Sequence, residues 1–171
     1  MMKVPRNFRI AVDSREKRPL LFPAHLRYFD EGGKPHLVRL ETVVETLPYG
    51  DYCPAGNIKA VAVERKGSAE EIAGNLLTSD RRRALSSLRR LAEGTEQPIL
   101  LLDFPISQLM GVEKGRPAPG EVISALLRLV RELGLSLIHA SSGASPATRR
   151  NLGSIVAHML LEGALSYARN G

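Results

Sequence analysis

A chain of 171 residues, 43% of them hydrophobic, is large enough for one well-filled core and too small for two. Twenty-four lysines and arginines against eighteen acids leave a net charge of +6, which puts a polyanion such as nucleic acid, or an acidic membrane surface, among the expected partners. The single cysteine, Cys53, excludes a disulfide framework and a cysteine-rich zinc site, and no run approaches the ~18 apolar residues of a membrane span. The opening MMKVPRNF also lacks the apolar stretch of a secretory signal. The expectation is a single domain over residues 1–171, cytoplasmic, or nuclear in a eukaryote, with no membrane partner.

In chain order, Phe8 to Val12 reads as a short buried strand, and the turn-rich Glu31-Gly32-Gly33-Lys34-Pro35 precedes a second strand from about Leu37 to Leu47. Pro48-Tyr49-Gly50-Asp51 ends it. Ala60 to Val63 is a β-branched apolar run leading into Glu64-Arg65-Lys66, after which Ser68, with Glu70 and Glu71 behind it, has the form of a helix N-cap followed by first-turn acids. That helix runs to about Leu77. Leu85, Leu88 and Leu91 recur at helical spacing over Arg81 to Ala92, and Ile99 to Leu102 is a buried strand by its shortness. Glu121 to Leu133 predicts an amphipathic helix and Leu135 to His139 a strand. Ser145 and Pro146 then launch a last helix whose apolar side is Leu152, Ile155, Val156, Met159, Leu160 and Gly163. Strands alternating with helices predict an α/β fold, a mixed central sheet flanked by helices.

Hydrolysis of a phosphodiester by a metal enzyme needs acids to hold a hard cation and a positive group to stabilise charge developing on the phosphate. Asp51 follows one strand, and Glu64 and Lys66 stand two apart on another and so share one face of it. Arg65 points the other way, to pair with an acid behind the sheet. Asp13, directly after the first strand, adds another possible ligand. By spacing alone the same residues also describe a solvated charge pair on an exposed strand, which is the commoner arrangement.

Val12-Asp13-Ser14-Arg15-Glu16, Gly50-Asp51-Tyr52 and Val63-Glu64-Arg65-Lys66, in that order, resemble the nuclease domain of the XPF and archaeal Hef family. The likeness continues through Arg81 to Leu91, the strand at 98–102 and the closing helix, strand and helix, covering most of residues 8–165. It implies a restriction-endonuclease-like fold and a structure-specific endonuclease acting on branched, flap or forked DNA with Mg²⁺, for which Mn²⁺ substitutes. Asp51 and Glu64 become metal ligands, Asp13 a further ligand, Glu16 a supporting acid and Lys66 the group that orients or polarises the attacking water. Two departures stand out. Gly67 is inserted after the Glu-Arg-Lys triplet, so that Glu71 falls opposite the family's Asp, with Glu70 the ungapped alternative. Arg81-Arg82-Arg83 stands where the family has one arginine, best matched by Arg83. The helix-hairpin-helix module that commonly follows this domain is not expected here. A non-catalytic DNA-binding pseudonuclease is the alternative, against which the intact acids argue.

Arg81, Arg82 and Arg83 are the candidate phosphate contacts, since arginines near such a site add salt-dependent affinity without sequence choice. Lys17-Arg18, Lys114-Gly115-Arg116 and Arg149-Arg150 are weaker candidates, mostly expected to be surface. His25, His36, His139 and His158 are scattered without ligand spacing, and neither a serine-hydrolase motif nor a phosphate loop is present. The resemblance also implies a two-fold homodimer through residues about 121–165.

Overall fold

The computed structural model describes residues 3–77, 81–110, 118–143 and 145–170. Seven strands form one sheet: β1 (Asn7–Asp13), β2 (His25–Phe29), β3 (Pro35–Glu45), β4 (Tyr52–Pro54), β5 (Ala62–Lys66), β6 (Pro98–Asp103) and β7 (Ser136–Ala140). Five helices accompany it: α1 (Ala69–Leu77), α2 (Arg81–Gly94), α3 (Ile106–Met110), α4 (Pro119–Leu133) and α5 (Pro146–Asn170). The spatial order is β2-β3-β1-β4-β5-β6-β7. β1 and β3 are parallel, β2 and β4 run antiparallel to their neighbours, and β5, β6 and β7 are parallel to one another. The expected mixed sheet with flanking helices is therefore what forms.

Side-chain alternation along each strand divides the core in two. Ile10, Val12, Val38, Tyr52, Val63 and Leu101 point to the face covered by α5, where they meet Val156 and Leu160. Ala11, Cys53, Ala62, Leu100 and Leu102 point to the other face and pack with Ile72, Leu91 and Leu126 from α1, α2 and α4. With helices on both sides, β6 is buried along its whole length, which is why its sequence is a continuous apolar run without alternation.

Strand and helix boundaries fall within a few residues of those expected, and β2, β4 and α3 are additional. β4 has three residues and α3 five, and β2, though as long as β5 and β7, fully buries only Leu26, so none of them carries an apolar run to announce it. The apolar side of α5 is also shifted. Leu152, Gly153, Val156, Ala157, Leu160 and Leu161 are buried, whereas Ile155 is 48% exposed. The glycines set this rotation: a Cβ on Gly153 would stand 2.1 Å from the Leu21 carbonyl oxygen, and one on Gly163 would stand 2.6 Å from the Val61 side chain. Only the bare face of the helix can approach so closely.

Candidate active site

Because β1 is antiparallel to β4 and β4 to β5, the carboxyl ends of β1, β5, β6 and β7 all lie along one side of the sheet. Side chains at strand ends are free to project from there, the usual place for a site in an open α/β sheet. A cleft of about 540 Å³ opens along that line, with Asp51, Glu64, Lys66 and Glu71 in its wall.

Asp51 owes its place to the turn before β4. Gly50 has φ +71°, a conformation costly for any residue with a Cβ, and the Asp51 amide then donates to the Val63 carbonyl at 2.7 Å. The Asp51 carboxylate accepts the Arg65 main-chain N–H at 2.7 Å, fixing it beside β5. Burial, and after it the neighbouring Glu64 charge, push the Asp51 carboxyl up to about 8, against the pull of Arg65 N–H and Lys66.

Glu64 and Lys66 lie on one face of β5, and Lys66 Nζ donates to Glu64 at 2.9 Å and to Glu71 at 3.0 Å. Burial alone would lower the Lys66 pKa, but the two glutamates outweigh it and raise it, so the ammonium stays charged. Glu71 is the glutamate placed beside the lysine. Ser68 Oγ accepts the Glu71 amide at 3.1 Å, and the Glu71 carboxylate reaches back to Gly67 N–H at 3.1 Å and to Lys66. The inserted Gly67 thus still delivers a carboxylate to the lysine through the N-terminal turn of α1.

Asp13 is brought to the same sheet face but does not line the cleft. It is 4% exposed, and its oxygens accept Arg15 Nε at 2.8 Å, an Arg15 terminal nitrogen at 3.1 Å and the Leu47 amide at 2.9 Å. Burial would raise its pKa, yet these hydrogen bonds from Arg15 and Leu47 bring it below the usual value. Arg15 itself lines the cleft and feels the charges of Asp51 and Glu64.

Arg65 faces the opposite side, as its alternation requires, and does pair with an acid there: Asp103 of β6, at 2.6 Å. It also lies 3.6 Å from Glu16 and donates to the Arg18 carbonyl at 3.0 Å, which ties the supporting acid to the cleft wall. Asp103 further accepts the Ser142 amide at 2.6 Å and hydroxyl at 2.9 Å. The sequence reading missed Asp103, Ser142 and Arg15. For Asp103 a signal was present, an acid closing a wholly apolar strand, since such a residue must project at the strand's carboxyl end.

Of the arginine run, Arg83 shares a smaller cleft of about 250 Å³ with Glu64, Lys66, Asn75 and Ser87. Arg82 is exposed on the same helix, and the Arg81 side chain and Lys114-Gly115-Arg116 lie outside the described residues. Lys17, Arg18 and Arg149, the weaker candidates, line the main cleft. Cys53 is buried, and His139 is structural, its ring donating to the Phe104 carbonyl at 2.7 Å.

Among the described residues no three His, Cys, Asp or Glu side chains converge as a ready-made metal cage. The donor set fits a hard cation nonetheless. Mg²⁺ is commonly held by one or two carboxylates and completed by water and substrate phosphate, and Asp51 with Glu64 offers that minimum beside an open cleft. No helix among the described residues is long and apolar enough to cross a membrane.

The ERCC4 domain family matches residues 12–148 of this chain, a span that holds every residue of the cleft discussed above except Arg149. In fold the chain is similar to XPF from Aeropyrum pernix, at 21% identity and a TM-score of 0.57, over 95% of this chain and 69% of that one. It is likewise similar to XPF from Aeropyrum pernix in complex with DNA, at 19% identity and a TM-score of 0.53, over 95% of this chain and 66% of that one. No curated protein matches it in sequence.

Proposed function

Because this chain belongs to the ERCC4 domain family, we propose that it is a divalent-metal-dependent endonuclease hydrolysing DNA phosphodiesters at branched, flap or forked structures, in repair, recombination or phage replication. The observation that carries the reading is the convergence of Asp51, Glu64 and Lys66 on one cleft, with Lys66 Nζ 2.9 Å from the Glu64 carboxylate. The similar fold solved in complex with DNA supports DNA as the polymer, and so does the net charge of +6.

Asp51 and Glu64 would hold the cation, Mg²⁺ or Mn²⁺. When bound, it supplies a water of lowered pKa and neutralises charge on the phosphate. The Arg65 amide orients the Asp51 carboxylate, and Glu71 keeps Lys66 aimed at the reacting phosphate. Lys66 stabilises the charge that develops on the phosphate oxygens as water attacks phosphorus and an ester oxygen leaves. Asp13 would serve as a further ligand, the position the resemblance gives it, although its oxygens here accept from Arg15 and the Leu47 amide. Its role in the resting site is to anchor Arg15 in the cleft wall. Arg83 takes a phosphate next to the centre. The same proposal includes a two-fold pair formed through residues about 121–165.

The test is cleavage of labelled forked, flap, nicked and duplex DNA with Mg²⁺, Mn²⁺ or EDTA. Cutting is expected only with metal and is lost in Asp51→Asn and Glu64→Gln, while DNA binding in EDTA survives. Undiminished cutting by either variant would overturn the site. Binding without cutting by the unmodified chain would instead favour a non-catalytic partner.

A further inference from the structure

On the face turned from α5, the core packed with α1, α2 and α4 takes in Ala11 of β1 and, in part, Val43 of β3. Across β2 and the first halves of β3 and β1, alternation sends Leu26, Val38, Leu40, Phe8 and Ile10 under α5 and leaves the side chains between them on an open face. There Arg27 and Phe29 of β2, Leu37, Arg39 and Glu41 of β3, and Arg9 of β1 are all exposed, Phe29 by 52% and Leu37 by 69%. Antiparallel or large mixed sheets usually leave a polar face to water. This one instead carries three arginines among two large apolar side chains.

The chemistry of the patch narrows its occupant. The Arg27 guanidinium sits 5.4 Å from the centre of the Phe29 ring, and register places Arg27 beside Leu37. Glu41, opposite Arg9 in register, lies 3.5 Å from Arg39 instead. Among the described residues Arg9 and Arg27 therefore have no carboxylate partner, and the face stays positive. A second copy of this chain would set arginines against arginines, which opposes self-pairing. A polyanion with exposed flat bases fits both features, because an aromatic ring and arginine planes on an open sheet stack unpaired bases while the charges take phosphates. A duplex hides its base faces and uses only the second feature.

We propose that the open β2–β3–β1 face is a binding platform for single-stranded DNA. This rests on the nuclease reading for its role, which is to hold an unpaired arm of a branched substrate. The patch extends about 20 Å along β3. It lies on the same sheet face as Glu64.

The measurement is fluorescence anisotropy of labelled oligothymidylate and of a fully paired duplex in EDTA, over a salt series, with DNA cleavage assayed in parallel. Phe29→Ala should weaken oligothymidylate binding by about tenfold, the usual size of one lost stacked base, and barely affect the duplex. Arg9→Ala and Arg27→Ala should each lower the logarithmic salt slope for the single strand by about 0.7. Cleavage of plain duplex should not change. These side chains are exposed, and a thermal melt verifies that each variant folds. Unchanged oligothymidylate binding by a Phe29→Ala/Arg27→Ala double variant overturns the platform. So does a change of oligomeric state in place of a change of DNA affinity, which would make the face a protein interface. A chain that binds single strands through these residues yet cuts nothing leaves the platform standing and removes the nuclease reading.

Discussion

Asp51 sums the electrostatics of the site in one side chain. In the fold it keeps its proton up to about pH 8, whereas in the unfolded chain it gives it up near its ordinary value of 3.8. Between those limits the folded state binds the extra proton, so rising pH favours unfolding. The metal-free protein should accordingly lose thermal stability from pH 5 to pH 8. A cation replaces that proton, so Mg²⁺ or Mn²⁺ should raise the melting temperature more at pH 8 than at pH 5. Melts in EDTA and in metal at both pH values check this, with Asp51→Asn as the control that removes most of the difference. Equal stability of the metal-free protein at both pH values would show that Asp51 titrates as an ordinary carboxylate. Asp13 behaves oppositely because Arg15 and the Leu47 amide favour its charged form.

At the scale of elements, the site depends on α1, α2 and α5 reaching the sheet at fixed distances. The α5 glycines test the closest of these approaches. Gly163→Ala puts a methyl 2.6 Å from Val61, next to β5, and such overpacking typically costs about 1–3 kcal/mol. The melting temperature should fall by several degrees, readable by calorimetry, while Gly56→Ala serves as a contrast because nothing lies within 4 Å there and only the strained φ of +78° is felt. For α2, position on the helix separates two adjacent arginines. Both are exposed, but Arg83 lines a cleft with Glu64 and Lys66 and Arg82 does not. Arg83→Ala should lower the rate of cleavage even at saturating DNA. Arg82→Ala should lower only affinity, with a loss of about one unit of salt slope. Equal effects of the two would mean that both are general surface charge.

For the whole molecule, the open question is assembly. α4 and α5 pack on opposite faces of the sheet, and among the described residues β7 has no strand on its outer side, so the proposed two-fold pair through residues 121–165 would lie around that edge. Leu127 on α4 and Ile155 on α5 are 52% and 48% exposed and are the natural apolar contributions to it. Met159 packs partly against the core and would confuse the test. The unmodified chain should scatter light as a dimer, and Ile155→Glu should give a folded monomer with a weaker preference for branched over linear DNA. A monomeric parent across micromolar concentrations would refute the pair.

The sequence by itself determined the local features. The apolar runs of β1 and β6, the Ser68 and Ser145 caps and the two-residue spacing of Glu64 and Lys66 on one strand face all follow from short-range backbone geometry. The order of the Asp51 and Glu64-Arg65-Lys66 segments was likewise legible, through resemblance. Tertiary structure decided what no local pattern encodes. It set Asp51 against Glu64 across two strands, turned Asp13 to Arg15, gave Arg65 its acid in Asp103, brought Arg149 to the cleft and left β2–β3–β1 bare. The physical reason is range. Alternation and capping act over a few residues, whereas burial and charge coupling depend on which strands become neighbours, and that is settled only when the whole sheet closes over its two cores.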